Sequence, residues 1–149
     1  MADLVVQEAV SLALHTTLKV GGTARYYITA ITEGAVLEAV QFAKERQLPL
    51  FVLGAGSNVL ASDGEYAGVV LYIGLLGKEA VIDPEAGTVL YTAAAGEDLD
   101  TIIAGTVESG WWGMENLSAI PSSIGAVPVQ NVGAYGVEAS QLIHSVRVY

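Results

Sequence analysis

Apolar positions along the chain follow two regimes. In the front half they come in short, dense runs. "RYYITAI", Arg25 to Ile31, is aromatic and β-branched and predicts a strand. Thr32 follows as an N-cap, and "EGAVLEAVQFAKER" predicts a helix with Val36, Leu37, Val40 and Ala43 on one face. "LFVLG" is a continuous apolar run, the pattern of a strand buried on both faces, and "GVVLYI", Gly68 to Ile73, repeats it. Strand, helix and buried strand predict a βαβ-like opening from Thr16 to about Ile73.

The rear half alternates instead. "AVID" and "TVLYTAAA" flank the turn "PEAG" and predict an antiparallel hairpin. In "EDLDTIIAGTVESG", Leu99, Ile102, Ile103, Thr106 and Val107 fall at i, i+3, i+4, i+7 and i+8. That spacing predicts a helix from Asp98 to Ser109, led by acids and closed by Gly110. Next comes "IPSSIGAVPVQNVGAYGV", Ile120 to Val137, an uncharged ribbon whose prolines and glycines suit neither an ordinary helix nor an ordinary strand. A short segment around "EASQLI" leads to "SVRVY", which alternates like a strand and stops at Tyr149 without a turn or partner. An open sheet edge is a liability, so the expectation is the front part of a longer protein. The predicted fold is α+β in two lobes, 1–75 and 76–149. The first is a small parallel-type sheet with helices. The second is an incomplete antiparallel sheet with the Asp98–Ser109 helix packed on it.

Composition narrows what such a chain can do. Its 149 residues are 52% hydrophobic, enough for a core and too many for disorder. Six basic and sixteen acidic residues give a net charge of −10, which argues against nucleic-acid and anionic-membrane partners. An anionic ligand must then be held mainly by backbone N–H groups. The absence of cysteine excludes disulfides, thiolate metal sites and cysteine nucleophiles, and suits a reducing cytoplasm. The ribbon is the longest uncharged run, but Pro121, Pro128, Gln130 and Asn131 would disrupt a membrane-spanning helix. Asp3 and Glu8, with no basic region before an apolar core, do not make a signal peptide. The expectation is a soluble protein.

Two segments are candidates for chemistry. "VLGAGSNVL", Val52 to Leu60, sets a glycine loop directly after an apolar run, where backbone N–H groups can approach a phosphate and Ser57 and Asn58 add donors. The dinucleotide fingerprint fails at Val59, its third glycine position. A P-loop fails as well: Lys78 follows Gly77, but Tyr72 and Glu79 occupy the first glycine and Ser/Thr positions. The plain alternative is a strand-ending turn. In the ribbon, Gly125, Gly133 and Gly136 permit positive φ or close approach, while Ser122, Ser123, Gln130, Asn131 and Tyr135 offer hydrogen bonds. Such a surface suits a large, polar, planar ligand; the alternative is a buried crossover bonded to itself. His15 and His144 lack companion ligands at metal spacing and read as packing or surface residues. At least one of Trp111 and Trp112 is expected in the core, and Tyr26 and Tyr27 on opposite faces of their strand. No metal site and no acid–base pair emerge, and oligomeric state is left open.

"HTTLKVGGTARYY", "VLGAGSNVL" with "SDGEYAGVVL", and "GMENLSAIPSSIGAVPVQNVGAYGVE" occur in an order and spacing that resemble the UDP-N-acetylenolpyruvoylglucosamine reductases of bacterial cell-wall synthesis. The likeness runs from about Leu14 to Tyr149. It implies a two-lobed FAD-binding fold of the vanillyl-alcohol-oxidase type, NADPH as reductant and a UDP-sugar substrate. By that resemblance Gly54, Ala55, Gly56, Ser57 and Asn58 would cradle the FAD pyrophosphate. Ile120, Pro121, Ser122, Ser123, Gly125 and Ala126, with Gln130, Asn131, Gly133, Ala134, Tyr135 and Gly136, would line the rest of the cofactor. The family reads Ile-Pro-Gly where this chain has Ile120-Pro121-Ser122, a departure expected to weaken FAD binding. The family's catalytic residues and substrate domain fall beyond Tyr149, so the chain alone is expected not to turn over substrate. Another flavin oxidoreductase of the same fold, or a non-catalytic nucleotide- or phosphate-binding module, would carry the same glycine loop.

Overall fold

The computed structural model describes residues 4–149; Asp3, used in the charge argument at the N-terminus, lies outside the described residues. The chain divides into two compact units, the first ending at Leu75 and the second running from Leu76 to Tyr149.

The first unit is a four-stranded mixed sheet. Strands β1 (Val6–Ser11), β2 (Thr23–Ala30), β3 (Leu50–Leu53) and β4 (Tyr66–Ile73) lie in the order β1-β2-β4-β3, with β4 parallel to both β2 and β3 and β1 antiparallel to β2. Helix α1 (Glu33–Glu45) is capped by the Thr32 hydroxyl, which accepts from the Ala35 N–H at 3.1 Å. It covers one sheet face through Ala39 and Ala43, which pack on Ile28, Ala30, Val69 and Leu71. The opposite face buries Leu12, Ala24, Tyr27, Leu53 and Val70 under loop residues such as Val59 and Ala61. Tyr26 and Tyr27 do split: Tyr26 packs with the α1 side and Tyr27 with the loop side.

Three expectations for this unit change. β3 is an edge strand with Phe51 and Val52 exposed, because β4 inserts between it and β2 and takes the doubly buried position. The buried face of α1 runs through Val36, Ala39, Phe42 and Ala43, leaving Leu37 and Val40 exposed. Small alanines at the centre of the contact let the helix sit close to the sheet. Strand β1 had no signal in the alternation, and it makes the sheet mixed rather than purely parallel.

The second unit opens on the hairpin β5 (Lys78–Asp83) and β6 (Thr88–Ala93), paired antiparallel. Its turn is an Asx turn, with Asp83 Oδ1 accepting from the N–H groups of Glu85 and Ala86, and Gly87 at φ +64°. Helix α2 (Leu99–Glu108) starts at Asp98, whose carboxylate accepts from the Thr101 N–H at 2.8 Å. Gly110, at φ +74°, closes it. Leu99, Ile102, Ile103 and Thr106 are buried, while Val107 is exposed.

The helix does not pack on the hairpin as expected. Leu99 and Ile103 form a core with Leu117, Val127, Val132 and Ala139, so its main partner is the ribbon. The hairpin keeps an exposed face, with every residue of β5 exposed. Trp111 meets Tyr91 edge-on at 6.1 Å, and Trp112 is 89% exposed, so neither tryptophan is a core residue. Residues 143–149, including "VRVY", form no strand, because no described strand supplies a ladder for them.

Asp100 fastens the first turn of α2 to the approach of the ribbon. Its carboxylate accepts from the Ala119 N–H and the Ser118 hydroxyl, both at 2.7 Å, and these bonds hold it below the usual carboxylate range. Glu115 is likewise lowered, by its own N–H and that of Gly113. A carboxyl whose folded pKa is depressed stabilises the fold fully above its ordinary pKa and loses that contribution as pH falls through the folded value. Denaturant unfolding of wild type and Asp100→Asn should therefore differ most near neutrality and converge as pH falls below the ordinary carboxylate range. A constant difference across that range would refute the assignment.

Packing of α2 on the ribbon also has a direct measure. Leu117→Ala, which empties a site 1% exposed, should cost about 3 kcal/mol of stability, whereas Leu90→Ala on the hairpin, 51% exposed, should cost less than about 1 kcal/mol. Equal losses in equilibrium unfolding would mean that α2 draws its support equally from the hairpin.

Candidate functional site

In the first unit, the parallel strands β2, β4 and β3 bring their carboxyl ends to one edge of the sheet. Ligands of open parallel sheets bind outside that edge. Here it opens a cleft of about 460 Å³. Its floor comes from the sheet, through Gln7, Tyr27, Thr29 and Tyr72. The pairings Gln7↔Tyr27 and Thr29↔Tyr72 put these side chains on the same face. Its rim is the segment Leu14–Thr17 with Lys19 on one side and Gly54 and Ala55 on the other.

The glycine loop starts a crossover rather than a plain turn. β3 and β4 are parallel neighbours, so the chain must return across a sheet face between Leu53 and Tyr66, and it does so over the loop-covered side. Gly56 stands at φ +68°, and a Cβ there would lie 2.1 Å from the His15 carbonyl oxygen. Only glycine satisfies both conditions. Its own carbonyl accepts from the Thr17 N–H at 3.1 Å and the Thr17 hydroxyl at 3.4 Å. The facing loop is folded on itself: Thr16 gives its hydroxyl to the Val20 carbonyl, and Lys19, at φ +57°, donates its N–H to the Thr16 carbonyl.

One ring pair belongs to this cleft. The Tyr27 hydroxyl lies 3.0 Å from His15 Nδ1, and the two rings stack at 4.4 Å. Burial, with Tyr72 adding a smaller push, raises the Tyr27 hydroxyl to about 12. The cleft also departs from the charge of the chain as a whole. Sixteen acidic residues are present, yet no Asp or Glu lines it among the described residues, and Lys19 does.

In the second unit, the ribbon is built from short pieces rather than regular elements. Its path follows the segment before α2: Leu99 N–H donates to the Ser122 carbonyl, Ile124 N–H to Glu97, and Gly125 N–H to Ala95. Gly125 has an ordinary φ and is needed for space, since a Cβ would fall 2.7 Å from that of Ala95. Residues Ile124–Ala126 form a turn of 3₁₀ helix. Strands β7 (Gly133–Ala134) and β8 (Val137–Glu138) pair across Tyr135 and Gly136, at φ +52° and +82°. Positive φ at both central positions is the type I′ pattern. Asn131 ties the base of this hairpin, bonding Glu138 and the Ser140 N–H.

Of the residues singled out in the sequence, Gly54 and Ala55 line the cleft, Gly56 is buried against His15, and Asn58 is exposed. Ser57 is half-buried. All five belong to the first unit, and Ile120 to Gly136 belong to the second. Pro121, Asn131, Gly133, Tyr135 and Gly136 are exposed, whereas Ile120, Gly125, Ala126, Gln130 and Ala134 are half-buried and Ser123 is buried. Ser122 is 1% exposed, its hydroxyl bonded to the Ser123 carbonyl and receiving the Gln130 amide. It holds a negative φ, so the serine needs no backbone angle reserved for glycine. The ribbon does bond to itself, as its alternative reading required, and it still exposes backbone at the Tyr135–Gly136 tip.

Sequence reasoning passed over His15, Thr16, Thr17, Lys19, Tyr27, Thr29 and Tyr72 as site residues. The available signal was "HTTLK", with three hydrogen-bonding side chains in succession before a Gly-Gly pair. Nothing local connects it to a loop some forty residues later. Among the described residues no group of acidic or histidine side chains is arranged to hold a metal, and no helix is long and apolar enough to cross a membrane.

Comparison with known proteins places this geometry. The chain is 43% identical over 142 residues to the UDP-N-acetylenolpyruvoylglucosamine reductase of Cutibacterium acnes, covering 95% of this chain and 38% of that protein. It is 42% identical over 143 residues to the reductase of the same name from Pseudomonas aeruginosa, covering 96% and 42%. The chain thus spans about two fifths of the length of these curated relatives. Among solved structures, UDP-N-acetylenolpyruvylglucosamine reductase from Thermus caldophilus superposes with a TM-score of 0.70 at 26% identity, over 91% of this chain and 45% of that one. Cholesterol oxidase from Brevibacterium sterolicum shares the fold, with a TM-score of 0.67 at 17% identity over 89% of this chain and 25% of its own. A family model described as FAD binding domain matches residues 24–149, from the first residues of β2 through the glycine loop and the whole ribbon, and the chain belongs to that family.

Proposed function

We propose that this chain is the FAD-binding part of an NADPH-dependent reductase that converts UDP-N-acetylglucosamine enolpyruvate to UDP-N-acetylmuramate in peptidoglycan synthesis. The observation that carries the reading is the cleft at the carboxyl ends of β2, β3 and β4. It is lined by backbone at Gly54 and Ala55, by hydroxyls and by Lys19, without a carboxylate among the described residues. A diphosphate brought to a chain of net charge −10 needs such a local exception. The similarity to the named reductases adds the reaction and the UDP-sugar substrate.

When bound, FAD supplies the two-electron carrier between NADPH and the enolpyruvyl double bond. The chain's own part is to bind and orient. Gly54, Ala55, Gly56, Ser57 and Asn58 offer backbone and side-chain donors to the pyrophosphate, and the Thr16–Lys19 turn forms the facing rim. The ribbon, from Ile120 to Ala126 and from Gln130 to Gly136, supplies neutral walls held in shape by its bonds to residues 95–99. No catalytic role is proposed for any residue of this chain. The cysteine-free sequence fits action in a reducing cytoplasm, which we include in the proposal.

Titration of the chain into FAD, followed by flavin fluorescence and visible absorbance, tests the cofactor. Wild type should perturb both signals. Gly56→Ala forces the loop away from the His15 carbonyl, and should cost about 2 kcal/mol of stability or more and weaken FAD at least about tenfold. A folded wild-type chain that leaves the flavin spectrum untouched would overturn the cofactor assignment. NADPH oxidation by the full-length protein should require the enolpyruvyl sugar nucleotide; oxidation indifferent to it would overturn the substrate.

A further inference from the structure

The His15–Tyr27 pair has a consequence for what the cleft offers a ligand. Tyr27 is 2% exposed, and its only hydrogen bond among the described residues is to His15 Nδ1. Its buried phenol, raised to about 12, keeps its proton at neutral pH. If Nδ1 carried a proton and donated it, the Tyr27 hydroxyl would need another acceptor, and none is within reach among the described residues. The phenol therefore donates and Nδ1 accepts. In a neutral imidazole the remaining proton then sits on Nε2. No protein group among the described residues bonds to that nitrogen, and the half-buried ring lines the cleft.

We propose that His15 is a ligand-contacting residue of this cleft: held by Tyr27 as the Nε2–H tautomer, it offers a neutral donor to a phosphate oxygen seated between Lys19 and the Gly54–Ala55 turn. The proposal deepens the reading of the cleft as a dinucleotide site and rests on it. Tyr27 acts as a positioning residue, because stacking on its ring and bonding to its hydroxyl fix both the plane and the tautomer of His15. The backbone adds to this. The His15 N–H donates to the Leu12 carbonyl at 2.9 Å, and Gly56 packs against the His15 carbonyl, so the residue is held from both sides.

Long-range ¹H–¹⁵N correlation of the ¹⁵N-labelled chain near neutral pH reads the tautomer directly, with exposed His144 as the internal reference. The expected result is an unprotonated Nδ1 and a protonated Nε2 at His15. In Tyr27→Phe, nearly the same shape, His15 should lose that preference while His144 stays put. Inorganic pyrophosphate should shift the His15 Nε2–H signal. His15→Ala should weaken pyrophosphate and FAD about tenfold, and His15→Gln, which keeps a donor, should recover part of it. Riboflavin, which has no phosphate, should bind His15→Ala as it binds wild type. A proton on Nδ1, or unchanged pyrophosphate affinity in His15→Ala, overturns the proposal. FAD binding that ignores His15→Ala leaves the cofactor reading standing and removes His15 from it. Pyrophosphate bound through His15 without FAD binding upholds the His15 contact and removes the cofactor reading.

Discussion

The first unit depends on one missing side chain. At Gly56 the chain turns with positive φ, directly against the carbonyl of His15, in space that any Cβ would fill. Because the approach is that close, Thr17 can bond to the Gly56 carbonyl with both its N–H and its hydroxyl. That stitch joins two loops about forty residues apart in the chain, and the cleft is the space they leave above the sheet. The stitch holds the backbone of His15 and Thr17 against the start of the Gly54–Glu65 crossover. A glycine that read as a plain turn residue is a joint between two loops.

The second unit uses the same device in a different place. Gly125 admits Ala95 at a distance that a side chain would forbid, and the ribbon then runs alongside residues 95–99. The N-terminal end of helix α2 is fixed by this arrangement. Asp98 caps it and lies beside Ser123, while Asp100 reaches across to Ser118 and Ala119. The apolar side of α2 meets Leu117, Val127 and Val132 of the ribbon. An uncharged ribbon therefore serves first as the core partner of a helix. Its polar groups are largely spent on holding itself: Gln130 on Ser122, Asn131 on Glu138 and Ser140.

Charge is distributed to match. Several of the described acidic residues sit at caps and turns where their carboxylates bond to backbone N–H groups, as Asp83, Asp98 and Asp100 do. Among the described residues, no acidic side chain lines the cleft. Keeping carboxylates out of it lets a few neutral donors and one lysine act in a surface that would otherwise repel an anion.

Local chemistry was legible in the sequence. Thr32 and Asp98 are caps because a side-chain oxygen three residues before an N–H needs nothing from elsewhere, and Gly110 ends α2 for the same kind of reason. The β5–β6 hairpin and both helices follow from periodicity within a dozen residues. Tertiary structure decided what depends on contacts between distant segments. "LFVLG" and "GVVLYI" look alike as sequence, yet only the second is central, because strand order sets which apolar run is covered on both faces. The apolar stripe of α2 fitted a sheet as well as a ribbon; packing chose the ribbon. His15 carried no signal of its own until a tyrosine twelve residues later and a glycine loop some forty residues later closed around it. Caps and turns are determined by neighbours in the chain, whereas a site is made by neighbours in space.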